Sequence, residues 1–207
     1  MRYRDKPPAP SSIEGLVRAQ TTPSGGRLPM PLLHFSEDPG ITRFEPHIAR
    51  TSNIQDEAFV WAIDEWHAPM YYTPRDCPRA CFWAGEKTSP EDRERWFGGL
   101  EPRFVLAIES GWLERLRSTA LHRYVMPEGT FERGPGGTHW VSREAVEPWK
   151  VEPVGDLPNA IAQAGVELRV TPRLGPMWRR VWKESTLEFS GTRLRYALGY
   201  PEEFGVE

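Results

Sequence analysis

The sequence predicts an α+β fold with a mostly antiparallel β core and short peripheral helices. Three observations carry that prediction. Short apolar runs such as LLHF, FVWAI, FVLAIE and HWVS recur from Leu32 onward, at strand length rather than helix length. Pro and Gly, 21 and 18 residues, punctuate the chain between them and leave little room for long helices. Helix-start chemistry is confined to a few places, the clearest being Ser89-Pro90-Glu91-Asp92, which supplies an N-cap, a first-turn proline and dipole-favoured acids.

Taken in order, the strands are expected at Leu32–Phe35, Phe59–Ile63, Ala80–Ala84, Phe104–Glu109, Leu121–Met126, His139–Ser142 and Val166–Thr171. Helices are expected at Asp64–Tyr72, Ser89–Phe97, Gly111–Arg117, Leu157–Gly165 and Pro176–Ser185. Gly134-Pro135-Gly136-Gly137 reads as a mobile turn between strands. Residues 1–29 are rich in Pro, Ser, Gly and charge with one weak apolar patch, the composition of a flexible N-terminal extension. Residues 30–207 then form a single globular domain, and Met30 is a candidate natural start.

The chain has 207 residues, of which 39% are hydrophobic and 12% aromatic, including nine Trp, so a sizeable core can form. A net charge of -3 provides no global field for a nucleic acid or an anionic membrane. Only Cys77 and Cys81 are present, too few for a disulfide framework and suited to a reducing, cytoplasmic setting. No apolar stretch reads as an export signal or a membrane span.

Chemistry-bearing residues concentrate between Leu32 and Trp83. His34 closes an apolar strand and runs into Ser36, Glu37 and Asp38; a strand end with a polar loop is where a scaffold presents ligand-binding groups. His34 and Ser36 can meet a ribose hydroxyl or a phosphate. The plainer alternative is a core histidine held by a backbone carbonyl, followed by an ordinary turn. In VWAIDEWHAPMYYTPRDCPR, Asp64 can cap a short helix that projects His67, Tyr71 and Tyr72, with Arg43, Arg75 and Arg79 available to phosphate. The same tyrosines can be packing residues and the arginines can pair with nearby carboxylates. Cys77 and Cys81 beside His34 and His67 invite a zinc reading, but CPRAC has no second cysteine pair and no metal site is assigned. Further along, His139, Glu144, Glu147 and Glu152 lie on or after a strand, where one of the carboxylates can hold a ribose hydroxyl or stabilise positive charge at an anomeric carbon, or simply face solvent.

The basic and aromatic segment PMWRRVWKESTLEFSGTRLRYAL can follow a nucleic-acid backbone. Trp178, Val181 and Trp182 nevertheless fall at the spacing of a buried helix face whose opposite side is solvated, and that reading is favoured.

HFSEDPGITRFEPH followed by VWAIDEWHAPMYYTPRDCPRACFWAG resembles a bacterial family of uncharacterised small proteins, over about Leu32–Thr88 and extending toward Thr171. More remotely, the order of features is similar to the ADP-ribosyltransferase-like fold. That resemblance implies a split β core gripping NAD, with an early-strand His (His34) at the adenosine-side ribose and a Tyr (Tyr71 or Tyr72) stacked on nicotinamide. It also implies a late-strand Glu (Glu144 or Glu147) at the nicotinamide ribose, while HWVSREAVEPW can place His139 at that position. The implied function is an NAD- or nucleotide-binding protein, with ADP-ribosyl or phosphoryl transfer as its chemistry and an unspecified macromolecular target. The rival readings are a non-catalytic small-molecule or peptide binding module, and a metal-dependent hydrolase built on His34, His67 and Cys77.

Overall fold

The computed structural model describes residues 31–48, 57–134 and 139–204. The expected N-terminal extension over 1–29, the candidate start at Met30 and the centre of the Gly-rich turn, 135–137, lie outside the described residues. Among the described residues the fold is α+β, with sheets that are mostly antiparallel and four short α-helices. Among the described residues, contacts cluster into two compact units, 31–71 with 121–154 and 72–120 with 155–204.

The first unit is an antiparallel sheet built from β1 (Leu32–Ser36), β2 (His47–Ile48), β3 (Ala58–Ile63), β6 (His122–Met126), β7 (Glu132–Arg133), β8 (His139–Ser142) and β9 (Lys150–Pro153). Its order is β7-β8-β3-β1-β6-β9, with β2 added beside β3. Alternation sorts the side chains into two faces. Leu32, Val60, Ala62, Tyr124 and Met126 form an apolar core on one face, closed by Val146 with Ile41, Phe44, Phe131 and Trp140. Leu33, Phe35, Trp61, Ile63 and His139 belong to the other, because Leu33 pairs with Ile63 and Ile63 with His139. β1 runs in register with β6 over its whole length, whereas it pairs with β3 only at Leu33 and Ile63.

The loop after β1 is fixed by its own polar residues. Ser36 Oγ accepts the Asp38 N–H at 3.1 Å, and Asp38 Oδ1 accepts the Gly40 N–H at 2.8 Å, so SEDPG is two successive side-chain turns. The fully buried Tyr124 reaches this loop from β6, donating its hydroxyl to Asp38 O at 2.6 Å and accepting the Ile41 N–H at 3.2 Å.

The second unit has a four-stranded sheet of β4 (Arg79–Trp83), β5 (Val105–Glu109), β10 (Glu167–Thr171) and β11 (Glu188–Thr192), ordered β10-β5-β4-β11. β10 is parallel to β5, and the other pairs are antiparallel. All four α-helices belong here: α1 (Pro90–Phe97), α2 (Leu113–Ser118), α3 (Leu157–Gln163) and α4 (Gly175–Glu184). The expected Ser89 cap forms, accepting the Asp92 N–H, and α1 ends at Gly98 in the left-handed region at φ 57°. The Asp92 carboxylate then holds both the backbone N–H and the hydroxyl of Thr186 at 2.6 Å. Phe82, Val105 and Ala107 meet Trp96, Phe97, Trp178 and Val181 in one apolar core.

α4 is amphipathic as its spacing predicts: Trp178 and Val181 are buried while Arg179, Arg180 and Lys183 are exposed. Gly191 of β11 lies flat against it, since a Cβ there would come within 2.6 Å of the Trp178 ring. At the end of β5 the buried Glu109 accepts the backbone N–H groups of Leu174 and Leu198. No helix among the described residues is long and apolar enough to cross a membrane.

All seven expected strands form, with shifts of about one residue at their ends. The expected helix over Asp64–Tyr72 does not. Residues 65–67 are a turn and only Ala68–Tyr71 coil, as a 3-10 helix. Pro69 has no N–H to donate, and the chain tightens through the Met70 N–H to His67 O bond at 3.0 Å.

Candidate functional site

The first unit gathers its aromatic and imidazole groups around β3. Tyr71, the last residue of the 3-10 helix, places its hydroxyl 2.6 Å from His139 Nε2 at the start of β8. Phe35 of β1 lies nearly parallel to the Tyr71 ring, with centroids 6.4 Å apart and planes 10° apart. Trp61 of β3 meets the His139 ring edge to face at 5.7 Å and 87°. These four residues are all half-buried, so the cluster is ordered by packing yet reachable by a ligand.

His34 stands where β1 and β3 part. Its Nδ1 lies 2.8 Å from the Trp61 carbonyl oxygen. A carbonyl only accepts, so Nδ1 carries the proton, and in the neutral ring the lone pair is on Nε2. The imidazole therefore satisfies a β3 carbonyl beyond the one position at which the two strands pair. This is the backbone-carbonyl bond of the plainer sequence reading. It also fixes the ring's orientation, with Phe44 packed against it at 4.6 Å.

Asp64 and His67 form a second, deeply buried pair, 2% and 1% exposed. Asp64 Oδ1 accepts the His67 backbone N–H at 3.0 Å and lies 2.6 Å from His67 Nδ1. Burial, the largest influence on the Asp64 carboxyl, pushes its pKa up. The hydrogen bonds and electrostatic pull of His67, helped by Arg133, outweigh that and hold it below the ordinary carboxylate range. Asp64 caps the turn as its position suggests. His67 and Tyr71 do not share a helix face, because a 3-10 helix carries four residues well past a full turn.

The other sequence candidates fall elsewhere. The Ser36 hydroxyl is engaged in the SEDPG turn. Arg43 is exposed and its guanidinium is shared between Glu45 at 2.7 Å and Glu147 at 3.3 Å, which raises its pKa, so a phosphate there has to compete with two carboxylates. Glu147 is thereby drawn to Arg43, beside the bridge between Phe44 and Val146. Glu144 is exposed, and its backbone closes a turn with the Ser142 hydroxyl. Tyr72 and Arg75 belong to the second unit, half-buried and exposed respectively. Cys77 and Cys81 are buried thiols whose pKa values burial pushes up to about 12, so neither is a ready nucleophile. Among the described residues, no three His, Cys, Asp or Glu side chains gather as a metal site.

Residue type points to Tyr71 and His139, and to His34 on the opposite face of the sheet, but not to Phe35 and Trp61 as partners of the pair. The missed signal is strand alternation, which puts Phe35, Trp61 and His139 on one face once β1, β3 and β8 are aligned.

The model of a family of unknown function, DUF6886, matches residues 33–197. No curated protein and no solved structure matches the chain.

Proposed function

The chain belongs to the DUF6886 family of unknown function, and on that premise we propose that it binds NAD or a related nucleotide at the Tyr71–His139 pair. The observation that carries this reading is the 2.6 Å contact between the Tyr71 hydroxyl and His139 Nε2, set among the rings of Phe35 and Trp61. An aromatic face beside a polarised hydroxyl suits a planar base, which gains stacking area and a polar partner together. A ribose offers hydroxyls that both donate and accept, and these match the hydroxyl–imidazole pair.

In this reading Tyr71 and His139 hold the ligand, with His139 at the late-strand position of the ADP-ribosyltransferase-like resemblance, while His34, paired with Tyr124 and packed on Phe44, faces the opposite side of the sheet and steadies β3 through its bond to the Trp61 carbonyl. An imidazole there binds a ribose but lacks the fixed negative charge that would stabilise an oxocarbenium-like transition state. Glu144 and Glu147 are the carboxylates that transfer would call on, and their exposed positions and turn or Arg43 contacts favour binding as the primary activity.

Calorimetric titration of the full chain with NAD tests the proposal. Saturable heat with the wild type, weakened about tenfold or more in Tyr71→Phe and in His139→Ala, is the expected result. Absence of heat and of any thermal shift with NAD would overturn it. If binding is seen, a search for nicotinamide release in the wild type and in the Glu144→Gln/Glu147→Gln double variant separates transfer from binding alone.

A further inference from the structure

Tyr71 can meet His139 only because the chain reverses sharply between the end of β3 and the 3-10 helix. That reversal is built on Asp64. Its main-chain carbonyl accepts the Ala68 N–H at 3.0 Å, and its Oδ1 takes both the backbone and the ring donors of His67. The His67 carbonyl in turn accepts the Met70 N–H at 3.0 Å. Three consecutive anchors thus run from Asp64 to the residue before Tyr71.

The Asp64 carboxylate is unusual in another respect. Its Oδ2 is buried and has no hydrogen-bond partner among the described residues. A buried carboxylate oxygen without a partner is costly and is kept only where the surrounding structure has a use for the group. The groups that act on it electrostatically are His67, on its own turn, and Arg133 of β7.

We propose that Asp64 and His67 are positioning residues for the Tyr71–His139 site, the buried hydrogen bond between them fixing the turn that sets the Tyr71 hydroxyl against His139. Its consequence for ligands rests on the nucleotide-binding reading above, whereas its geometry does not. Loosening the pair frees the 3-10 helix, separates Tyr71 from His139 and lowers affinity without removing any ligand-contacting group.

Asparagine and alanine at position 67 distinguish this from simple packing. An Asn amide can offer a donor near the place of Nδ1; Ala offers none. The readout is the side-chain nitrogen spectrum of His139 by NMR, with and without NAD, on full-length folded protein. His67→Asn should keep the wild-type His139 signal and an NAD affinity within about twofold of wild type. His67→Ala should shift the His139 signal to that of Tyr71→Phe and weaken NAD by about tenfold. Should His67→Ala not fold, His67→Gln takes its place, because its longer amide overshoots the Nδ1 position. An unchanged His139 signal in His67→Ala or its replacement overturns the proposal, as does an Asn variant as disrupted as the Ala variant. If the wild type does not bind NAD but the His139 signal still follows the series, the positioning role stands and the nucleotide reading fails.

Discussion

The Tyr71 hydroxyl and His139 Nε2 lie 2.6 Å apart, joining the end of a 3-10 helix to the start of a strand 68 residues later. The bond is half-exposed, so its groups remain open to exchange one partner for a ligand. Tyr71→Phe keeps the ring and its stacking with Phe35 and removes only the hydroxyl. NAD affinity should fall about tenfold, while unfolding free energy changes by less than about 1.5 kcal/mol. Calorimetry and urea denaturation of the same preparation check the two halves of that statement.

Acid stability should depend on Asp64. Its folded pKa lies below the unfolded value of about 3.9. The stabilisation is therefore complete above that value and is lost as pH falls through the folded one. Asp64→Asn should be less stable near neutral pH but lose less on acidification, so the two stability curves converge as pH falls below the unfolded value of about 3.9. Urea midpoints on either side of that value give the answer, and parallel curves would count against the assignment.

Tyr124 is the anchor of the SEDPG loop. Tyr124→Phe leaves the buried ring and deletes a hydroxyl that donates to Asp38 O and accepts from Ile41 N–H. Asp38 is exposed and Ile41 half-buried, so water can take over their bonds, and a cost of about 0.5–1.5 kcal/mol is expected. Phe44 packs on both Tyr124 and His34, so the same variant should also increase hydrogen exchange in residues 37–44.

Cys77 and Cys81 should be silent in the folded protein. With both thiols pushed up to about 12, almost no thiolate exists near pH 8. A thiol-specific disulfide reagent should label neither cysteine in the native state and both in denaturant. Rapid native labelling of either would show that the second unit opens around β4.

Strands were legible where apolar runs were long enough to register, as in FVWAI and FVLAIE. The missing ones were too short or too polar: β2 and β7 have two residues each, β9 reads KVEP, and β11 carries Ser-Gly. β9 is recognisable only through its partner β6, which supplies the register that its own residues do not advertise. The division into two units was hidden because the chain leaves the first at Tyr71 and returns at Leu121 without a linker-like composition. For the site, residue type was enough to select Tyr71 and His139, whereas His34 falls on the opposite sheet face because it alternates with Leu33 and Phe35. The pair's partners Phe35 and Trp61 depend on strand alignment, and the involvement of Arg43 and Glu147 with one another depends on a 104-residue separation that no local pattern reveals.

The most direct test of the nucleotide site follows the His139 side-chain nitrogen resonances while NAD is added to the wild-type protein. The expected result is a saturable shift of the Nε2 signal whose midpoint lies at about tenfold higher NAD in Tyr71→Phe. A His139 signal unmoved at saturating NAD, whether or not the nucleotide binds elsewhere, would contradict it.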